Sequence, residues 1–157
     1  MMASHIQRIY LDTSVIGGYY DTEFEEDTRI LFEKIKLGQF HVVLSDITEG
    51  ELQEAPEMIR NLFIELSAGS ATKIELTEEA VQLADTYLAE KVVGKTSRVD
   101  CFHIALATIQ RVDILVSWNF KHIVNVQRIR GYNSVNMKLG YPTIDIRSPK
   151  EIIYYEY

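Results

Sequence analysis

The chain has 157 residues, 46% of them hydrophobic, and a formal net charge of -7. This length predicts one globular domain, residues 1–157, whose apolar content suffices for a single substantial core. No apolar run reaches the roughly 18 residues that a membrane span needs, and the N-terminal sequence lacks the apolar stretch of a secretory signal, so we expect a soluble, cytoplasmic protein with no membrane partner.

Apolar, β-rich runs alternate with helical patterns along the chain, which is typical of a parallel α/β sheet. The predicted strands are residues 8–11, 40–44, 72–76, 114–117 and 143–146. The predicted helices are residues 27–37, 45–54, 57–68, 77–92 and 98–111. The stretch NVQRIRGYNSVNMKLGYP, residues 125–142, is predicted to be an ordered loop region with a short helical possibility over residues 124–129.

The first predicted strand ends on Asp12, and two hydroxyl residues and a pair of glycines follow within the stretch LDTSVIGG. Such an apolar run suits a short strand that is covered on both faces. The glycines predict that the chain turns sharply there. A carboxylate at the end of a buried strand is therefore a candidate site residue.

Four polar side chains follow different strands, and ligands of open α/β sheets bind beyond the carboxyl ends of the strands, where strand order reverses. Asp12 ends the first strand, and Glu51 lies in the helix after the second. Asp100 lies in the first turn of the helix over residues 98–111, and Asn119 comes two residues after the fourth strand. We expect these candidate catalytic residues to converge on one edge. Each also has a structural alternative. Asp12 is then a helix cap and Glu51 an exposed surface group, while Asp100 is a partner of the helix dipole and Asn119 a turn residue.

A cluster of carboxylates predicts a bound cation. Two carboxylates about 4 Å apart repel by about 4 kcal/mol at an effective dielectric of 20. Oxygen ligands without a Cys/His set at zinc spacing favour Mg²⁺ or Mn²⁺, with Asp12, Glu51 and Asp100 as ligands. The chemistry that this predicts is metal-assisted hydrolysis of a phosphodiester.

Charge is distributed unevenly along the chain. Residues 1–90 contain 6 Lys/Arg and 18 Asp/Glu, whereas residues 91–150 contain 10 Lys/Arg and 3 Asp/Glu. A basic second half favours phosphate contacts by Lys121, Arg128 and Arg130, with an ordinary solvated surface as the alternative.

Two histidines follow site residues at a spacing of three, which brings side chains to nearly the same face of a helix. His103 follows Asp100, and His122 follows Asn119. We expect one of them to contact phosphate or to transfer a proton beside the metal, with a hydrogen-bonded structural histidine as the alternative.

The motifs IYLDTSVI, SDITEGEL, DCFHIALA and ILVSWNFKHI occur in this order along nearly the whole chain. In this they resemble the PIN (PilT N-terminus) domain family of metal-dependent nucleases, and within it the VapC-like toxins of toxin–antitoxin pairs. The resemblance implies a three-layer α/β/α sandwich with a central, mainly parallel β-sheet. It also implies an acidic pocket that binds Mg²⁺ or Mn²⁺ and cleaves an RNA substrate. An antitoxin partner and a homodimer are implied as well.

The resemblance carries over to individual residues. It implies metal-site roles for Asp12, Glu51 and Asp100. At Thr13 it puts a hydroxyl that hydrogen-bonds to the acidic site beside the first acid, which makes Thr13 a candidate substrate-binding residue. Asn119 stands at the fourth, usually acidic, position. An amide oxygen is a weaker ligand than a carboxylate and cannot act as a base.

Three functions therefore compete. The first is a metal-dependent endoribonuclease. The second is a nucleic-acid- or partner-binding module that has the same fold but no catalytic activity, because its metal-binding pocket has decayed. The third is a phosphotransferase with Asp12 as the nucleophile, which the stretch LDTS suggests; it is weakened because such enzymes carry a second acid where this chain has Ser14.

Overall fold

The computed structural model describes residues 5–154, and a sheet of five strands lies at its centre. The strands are β1 (Gln7–Leu11), β2 (Phe40–Ser45), β3 (Thr72–Ile74), β4 (Ile114–Val116) and β5 (Asp145–Arg147). Each predicted strand is present, although β3 ends two residues earlier and β5 begins two residues later than predicted. The strand order is β3-β2-β1-β4-β5, and the four pairings are all parallel.

Within the described residues, eight α-helices connect and follow the strands. They are α1 (Thr13–Gly18), α2 (Glu25–Lys36), α3 (Asp46–Glu51), α4 (Glu57–Ala68), α5 (Glu78–Ala89), α6 (Arg98–Ile109), α7 (Val126–Lys138) and α8 (Pro149–Ile153). Short 3₁₀ turns follow α3 at Leu52–Glu54 and precede α6 at Lys95–Ser97. No helix in this part of the chain is long and apolar enough to cross a membrane.

The residues after Asp12 form helix α1 rather than the predicted sharp turn. The Asp12 side chain caps this helix by accepting a hydrogen bond from the backbone N–H of Val15, at 3.3 Å. Gly18 serves close packing, because an added Cβ would lie 2.9 Å from Thr28 Oγ1 and from the ring of Trp118. The glycine pair is therefore compatible with a helix.

The predicted loop region over residues 125–142 is largely a helix, α7. Asn125 begins it by accepting hydrogen bonds from the backbone N–H groups of Gln127 and Arg128. Its buried face carries Tyr132 and Val135, which pack into the core. Tertiary packing therefore outweighs the low helix propensity of the asparagines and the glycine in this stretch.

The predicted description of the fold, with a mainly parallel sheet, needs correction. The sheet is parallel throughout, because every connection between successive strands contains a helix and crosses back to the same end of the sheet. One hydrophobic cluster packs α5, α6 and α7 against one face of the sheet, and a second packs α1, α2, α4 and α8 against the other. Side chains of β1 alternate between the clusters, with Tyr10 in the first and Ile9 and Leu11 in the second.

Strand order reverses at β1, which pairs with β2 on one side and β4 on the other. A crevice for a ligand forms at such a switch point, beyond the carboxyl ends of the strands. The ends of β1 and β4 carry Asp12 and Ser117. This edge therefore positions the candidate site.

Candidate functional site

Asp12 follows β1 directly and is 3% exposed. Its carboxylate accepts hydrogen bonds of 2.6 Å from the hydroxyls of Ser117 and Ser14. Burial raises the pKa of Asp12, and the nearby imidazole of His103 and the two serine hydroxyls oppose that rise only in part. The raised pKa means that the charged form of the Asp12 carboxylate is disfavoured. A nearby cation would favour that charged form.

Glu51 is the last residue of α3, the helix after β2, and its side chain is 39% exposed. Its Oε1 accepts a hydrogen bond of 2.6 Å from the Thr13 hydroxyl and lies 2.7 Å from Nε2 of His103. Burial raises the pKa of Glu51, but the hydrogen bonds from His103 and Thr13 outweigh it, so the pKa is lowered. Glu51 is therefore stabilised as a charged carboxylate.

Asp100 lies in the first turn of α6 and is half-buried. Burial raises its pKa, and the charges of Asp12 and Glu51 raise it further, against the lowering effect of His103 and His122. Hydrogen bonds through Thr13, Ser117 and Asn119 link the surroundings of the three carboxylates, so the three lie in one region.

Asn119 lies beside Asp100 and also holds the turn after β4. Its Nδ2 donates a hydrogen bond of 3.4 Å to Asp100, while its Oδ1 accepts bonds from the backbone N–H groups of Lys121 and His122 at 3.2 and 3.0 Å. Its own backbone N–H donates to the Ser117 hydroxyl at 2.9 Å. We call Asp12, Glu51, Asp100 and Asn119 the acidic edge.

The two histidines differ in their surroundings. His103 is 2% exposed, and both ring nitrogens are used within the protein: Nε2 meets Glu51, and Nδ1 lies 2.7 Å from the Tyr10 hydroxyl. His122 is half-buried, and its Nδ1 is buried without a hydrogen-bond partner among the described residues. His103 thus has the geometry of the structural alternative, and a contact of either histidine with phosphate stays a prediction.

The predicted phosphate-binding residues follow the acidic edge along the chain. Lys121 and Arg130 are exposed. Arg128 is half-buried, and its guanidinium donates a hydrogen bond to the backbone carbonyl of Val92. Lys121 and Arg130 are therefore more available to a ligand than Arg128.

Three hydroxyl-bearing residues at this edge were missed by sequence reasoning: Ser14, Ser117 and Tyr10. Ser117 directly follows β4 and Ser14 lies two residues after Asp12, so the stretches LVSW and LDTS contained a usable signal. Tyr10 lies inside an apolar run that predicts only packing, and its sequence position gives no sign that its hydroxyl meets a polar partner.

The acidic edge is held together by its own hydrogen bonds. Among the described residues, no three His, Cys, Asp or Glu side chains are arranged to hold a metal ion as they lie. The donor chemistry nevertheless suits a hard cation, since the oxygens belong to carboxylates and one amide.

Comparison with family models finds no match, and the curated proteins contain no match either. Solved structures that share the fold include the following three. A chain of VapBC2 from Rickettsia felis, bound to a DNA fragment from their promoter, has 16% identity and a TM-score of 0.54, covering 90% of this chain and 98% of that chain. A chain of FitAcB from Neisseria gonorrhoeae has 17% identity and a TM-score of 0.56, covering 92% and 99%. A chain of DNA-bound VapBC from Salmonella typhimurium has 15% identity and a TM-score of 0.55, covering 92% and 99%.

These comparisons correct the family identification made from the sequence. Membership of the PIN family, and of the VapC-like toxin ribonucleases within it, is not upheld, because no family model matches and the solved structures are only 15 to 17% identical. The label PIN-like is therefore removed from the fold as well. The quoted motifs are short, and buried strands and amphipathic helices of any parallel α/β sheet produce similar apolar patterns.

Proposed function

We propose that this chain is a Mg²⁺- or Mn²⁺-dependent endoribonuclease that hydrolyses phosphodiester bonds at the acidic edge. The observation that carries the proposal is that hydrogen bonds through Thr13, Ser117 and Asn119 hold three carboxylates at one edge, where their charges conflict. Burial, together with the charges of Asp12 and Glu51, raises the pKa of Asp100, and burial raises that of Asp12. A divalent cation would relieve this conflict because it favours the ionised form of each carboxylate.

The residues suited to hold the cation are Asp12, Glu51 and Asp100, with the Asn119 amide assisting. When bound, such a cation holds a phosphate oxygen and lowers the pKa of an attacking water. The chain's own contribution is orientation. Ser117 fixes the Asp12 carboxylate at 2.6 Å, and Thr13 fixes that of Glu51 at the same distance.

RNA is the proposed substrate, and the basic second half of the chain supports a polyanion. Lys121 and Arg130 are exposed, so both are available to contact phosphates of a polyanion. Arg128, His103 and His122 are further candidates.

The proposal includes a partner protein. Three of the solved structures that share the fold are named as VapBC or FitAcB assemblies, and two of those names include DNA. We infer that this chain is one component of a toxin–antitoxin system, as the ribonuclease component, and that it forms a homodimer.

The test is Mn²⁺ binding by calorimetry together with cleavage of single-stranded and structured RNA. The variant Glu51→Gln removes one charge from the acidic edge. Glu49→Gln is its matched control, because Glu49 lies in the same helix and is exposed. Its Oε2 lies 3.3 Å from Nζ of Lys73. We expect Glu51→Gln and Asp12→Asn to abolish cleavage and weaken Mn²⁺ binding, and Glu49→Gln to do neither. Intact RNA in the presence of wild-type protein and Mn²⁺ would contradict the proposal.

A second candidate is a nucleic-acid- or partner-binding module without turnover. It is favoured by a specific observation: no three candidate ligands among residues 5–154 are arranged around a common centre. Asn119 also gives the edge one charge fewer than an aspartate would. RNA binding that is unchanged in EDTA, with no Mn²⁺ uptake, would select this candidate over the first.

A further inference from the structure

A chain of short hydrogen bonds runs from the interior to the acidic edge. Ser45 Oγ lies 2.7 Å from the Tyr10 hydroxyl, which lies 2.7 Å from Nδ1 of His103, whose Nε2 lies 2.7 Å from Glu51 Oε1. Tyr10 and Ser45 are 0% exposed and His103 is 2% exposed. Of these four side chains, only Glu51 reaches solvent to a large extent, with 39% of its side chain exposed.

The chemistry of the groups sets the direction of each bond. A carboxylate can only accept a hydrogen bond, so Nε2 of His103, which lies 2.7 Å from Glu51 Oε1, must donate. In a neutral imidazole the other nitrogen then accepts, which makes the Tyr10 hydroxyl its donor. A phenol hydroxyl has an ordinary pKa of about 10, so the Tyr10 hydroxyl keeps its proton at neutral pH.

The remaining bonds fit the same direction. The Tyr10 oxygen accepts from the Ser45 hydroxyl, and Ser45 Oγ accepts from the backbone N–H of Thr48 at 3.4 Å, as the cap of α3. Each hydrogen is used once, and Glu51 lies at the other end of that same helix. The cap and the end of α3 are therefore joined through two side chains of other elements.

Packing does not explain the Tyr10 hydroxyl, because a phenylalanine ring would fill the same space without the hydrogen bonds to Ser45 and His103. We propose that Tyr10 is a positioning residue: its hydroxyl holds His103 in the tautomer that carries its hydrogen on Nε2, and His103 thereby fixes the carboxylate of Glu51 at the acidic edge. This inference rests on the proposed function in so far as Glu51 serves a metal there.

The first test needs no metal. Long-range proton–nitrogen correlation spectra of the metal-free wild type should show the His103 hydrogen on Nε2 and an unprotonated Nδ1. Three-bond couplings should show one Glu51 side-chain rotamer in the wild type and averaged rotamers in Tyr10→Phe. A hydrogen on Nδ1, in either a neutral or a charged ring, would overturn the proposal. So would an unchanged Glu51 rotamer in the variant.

The second test compares Mn²⁺ affinity. Tyr87→Phe is the matched control, because Tyr87 is 0% exposed in the same cluster and donates its hydroxyl hydrogen to Asn136 at 2.5 Å, away from the acidic edge. Loss of a hydrogen bond that orients a metal ligand weakens metal binding by about 10- to 100-fold. We expect that loss for Tyr10→Phe and less than about a twofold change for Tyr87→Phe, with similar melting temperatures for both.

The outcomes separate this inference from the proposed function. Equal Mn²⁺ affinity in Tyr10→Phe and wild type would overturn the positioning role while leaving the metal site intact. Absence of Mn²⁺ uptake by the wild type would overturn the proposed function and the metal-dependent part of this inference. The spectra of the metal-free protein would then still decide whether Tyr10 orients His103 and Glu51.

Discussion

The hydroxyl of Ser117 donates a hydrogen bond of 2.6 Å to the carboxylate of Asp12, and so joins the carboxyl ends of two neighbouring strands. The same oxygen accepts from the backbone N–H of Asn119 at 2.9 Å. Ser117 thus connects two residues of the acidic edge.

Ser117→Ala should destabilise the protein, because it leaves a buried acceptor and a backbone donor without their partner. We expect the free energy of unfolding to fall by about 1–3 kcal/mol in urea titrations. Ser67→Ala is the control, because the Ser67 hydroxyl only bonds back to the carbonyl of Phe63 within α4. If Ser117→Ala lowered the free energy of unfolding no more than Ser67→Ala, the hydrogen bonds of Ser117 would contribute nothing to stability.

Asp12→Asn should change how stability depends on pH. Burial raises the pKa of Asp12 above its ordinary value of 3.8, so the folded state binds this proton more tightly than the unfolded chain. The stabilisation is complete below the ordinary pKa and is lost as pH rises through the raised pKa. The melting temperature of the variant relative to wild type, in EDTA, should therefore be higher at about pH 8 than at about pH 4.

Glu51→Gln should show the opposite trend, which makes it an internal check. The pKa of Glu51 is lowered from 4.5, so its contribution is present above the ordinary value and is lost as pH falls through the lowered pKa. The melting temperature should be reduced by the substitution near neutral pH and little affected in acid. Parallel trends in the two variants would mean that the environments of the two carboxylates have been misjudged.

Gly18→Ala should be destabilising, whereas Gly17→Ala should not. A Cβ at Gly18 would lie 2.9 Å from both Thr28 and Trp118, but at Gly17 it would meet nothing within 4 Å. Overpacking of this kind costs about 1–3 kcal/mol, while alanine at an open helical position stabilises by up to about 1 kcal/mol. Unfolding followed by Trp118 fluorescence measures both, and equal effects would contradict the close contact.

Asn119→Asp should strengthen metal binding while weakening the metal-free protein. The new carboxylate would face Asp100, to which the Asn119 amide now donates at 3.4 Å. We expect a lower melting temperature in EDTA and an Mn²⁺ affinity tighter by about tenfold, since ligand charge sets affinity for hard cations. Asn125→Asp is the control, because a carboxylate caps α7 as well as the amide does.

The sequence predicted the strands and the edge better than it predicted the helices. The run before Asp12 could be recognised as a strand because strands buried on both faces are continuously apolar. Helix α7 could not be recognised in this way, because its glycine and asparagines lower its helix propensity. Only its packing against the core compensates for them. Likewise, the role of Tyr10 depends on His103, which lies 93 residues away in the sequence.

The central position of β1 has a consequence for how the protein is made. β1 is made before β4, with which it pairs, and the bond between Asp12 and Ser117 closes a loop of 105 residues. Such distant pairings fold slowly, because a long chain segment must be ordered before they form. A nascent chain that ends before β4 therefore carries Asp12, Glu51 and Asp100 but lacks Asn119 and the Ser117 hydroxyl that holds Asp12. Any activity that depends on the complete edge appears only after β4 and the turn that follows it have been made.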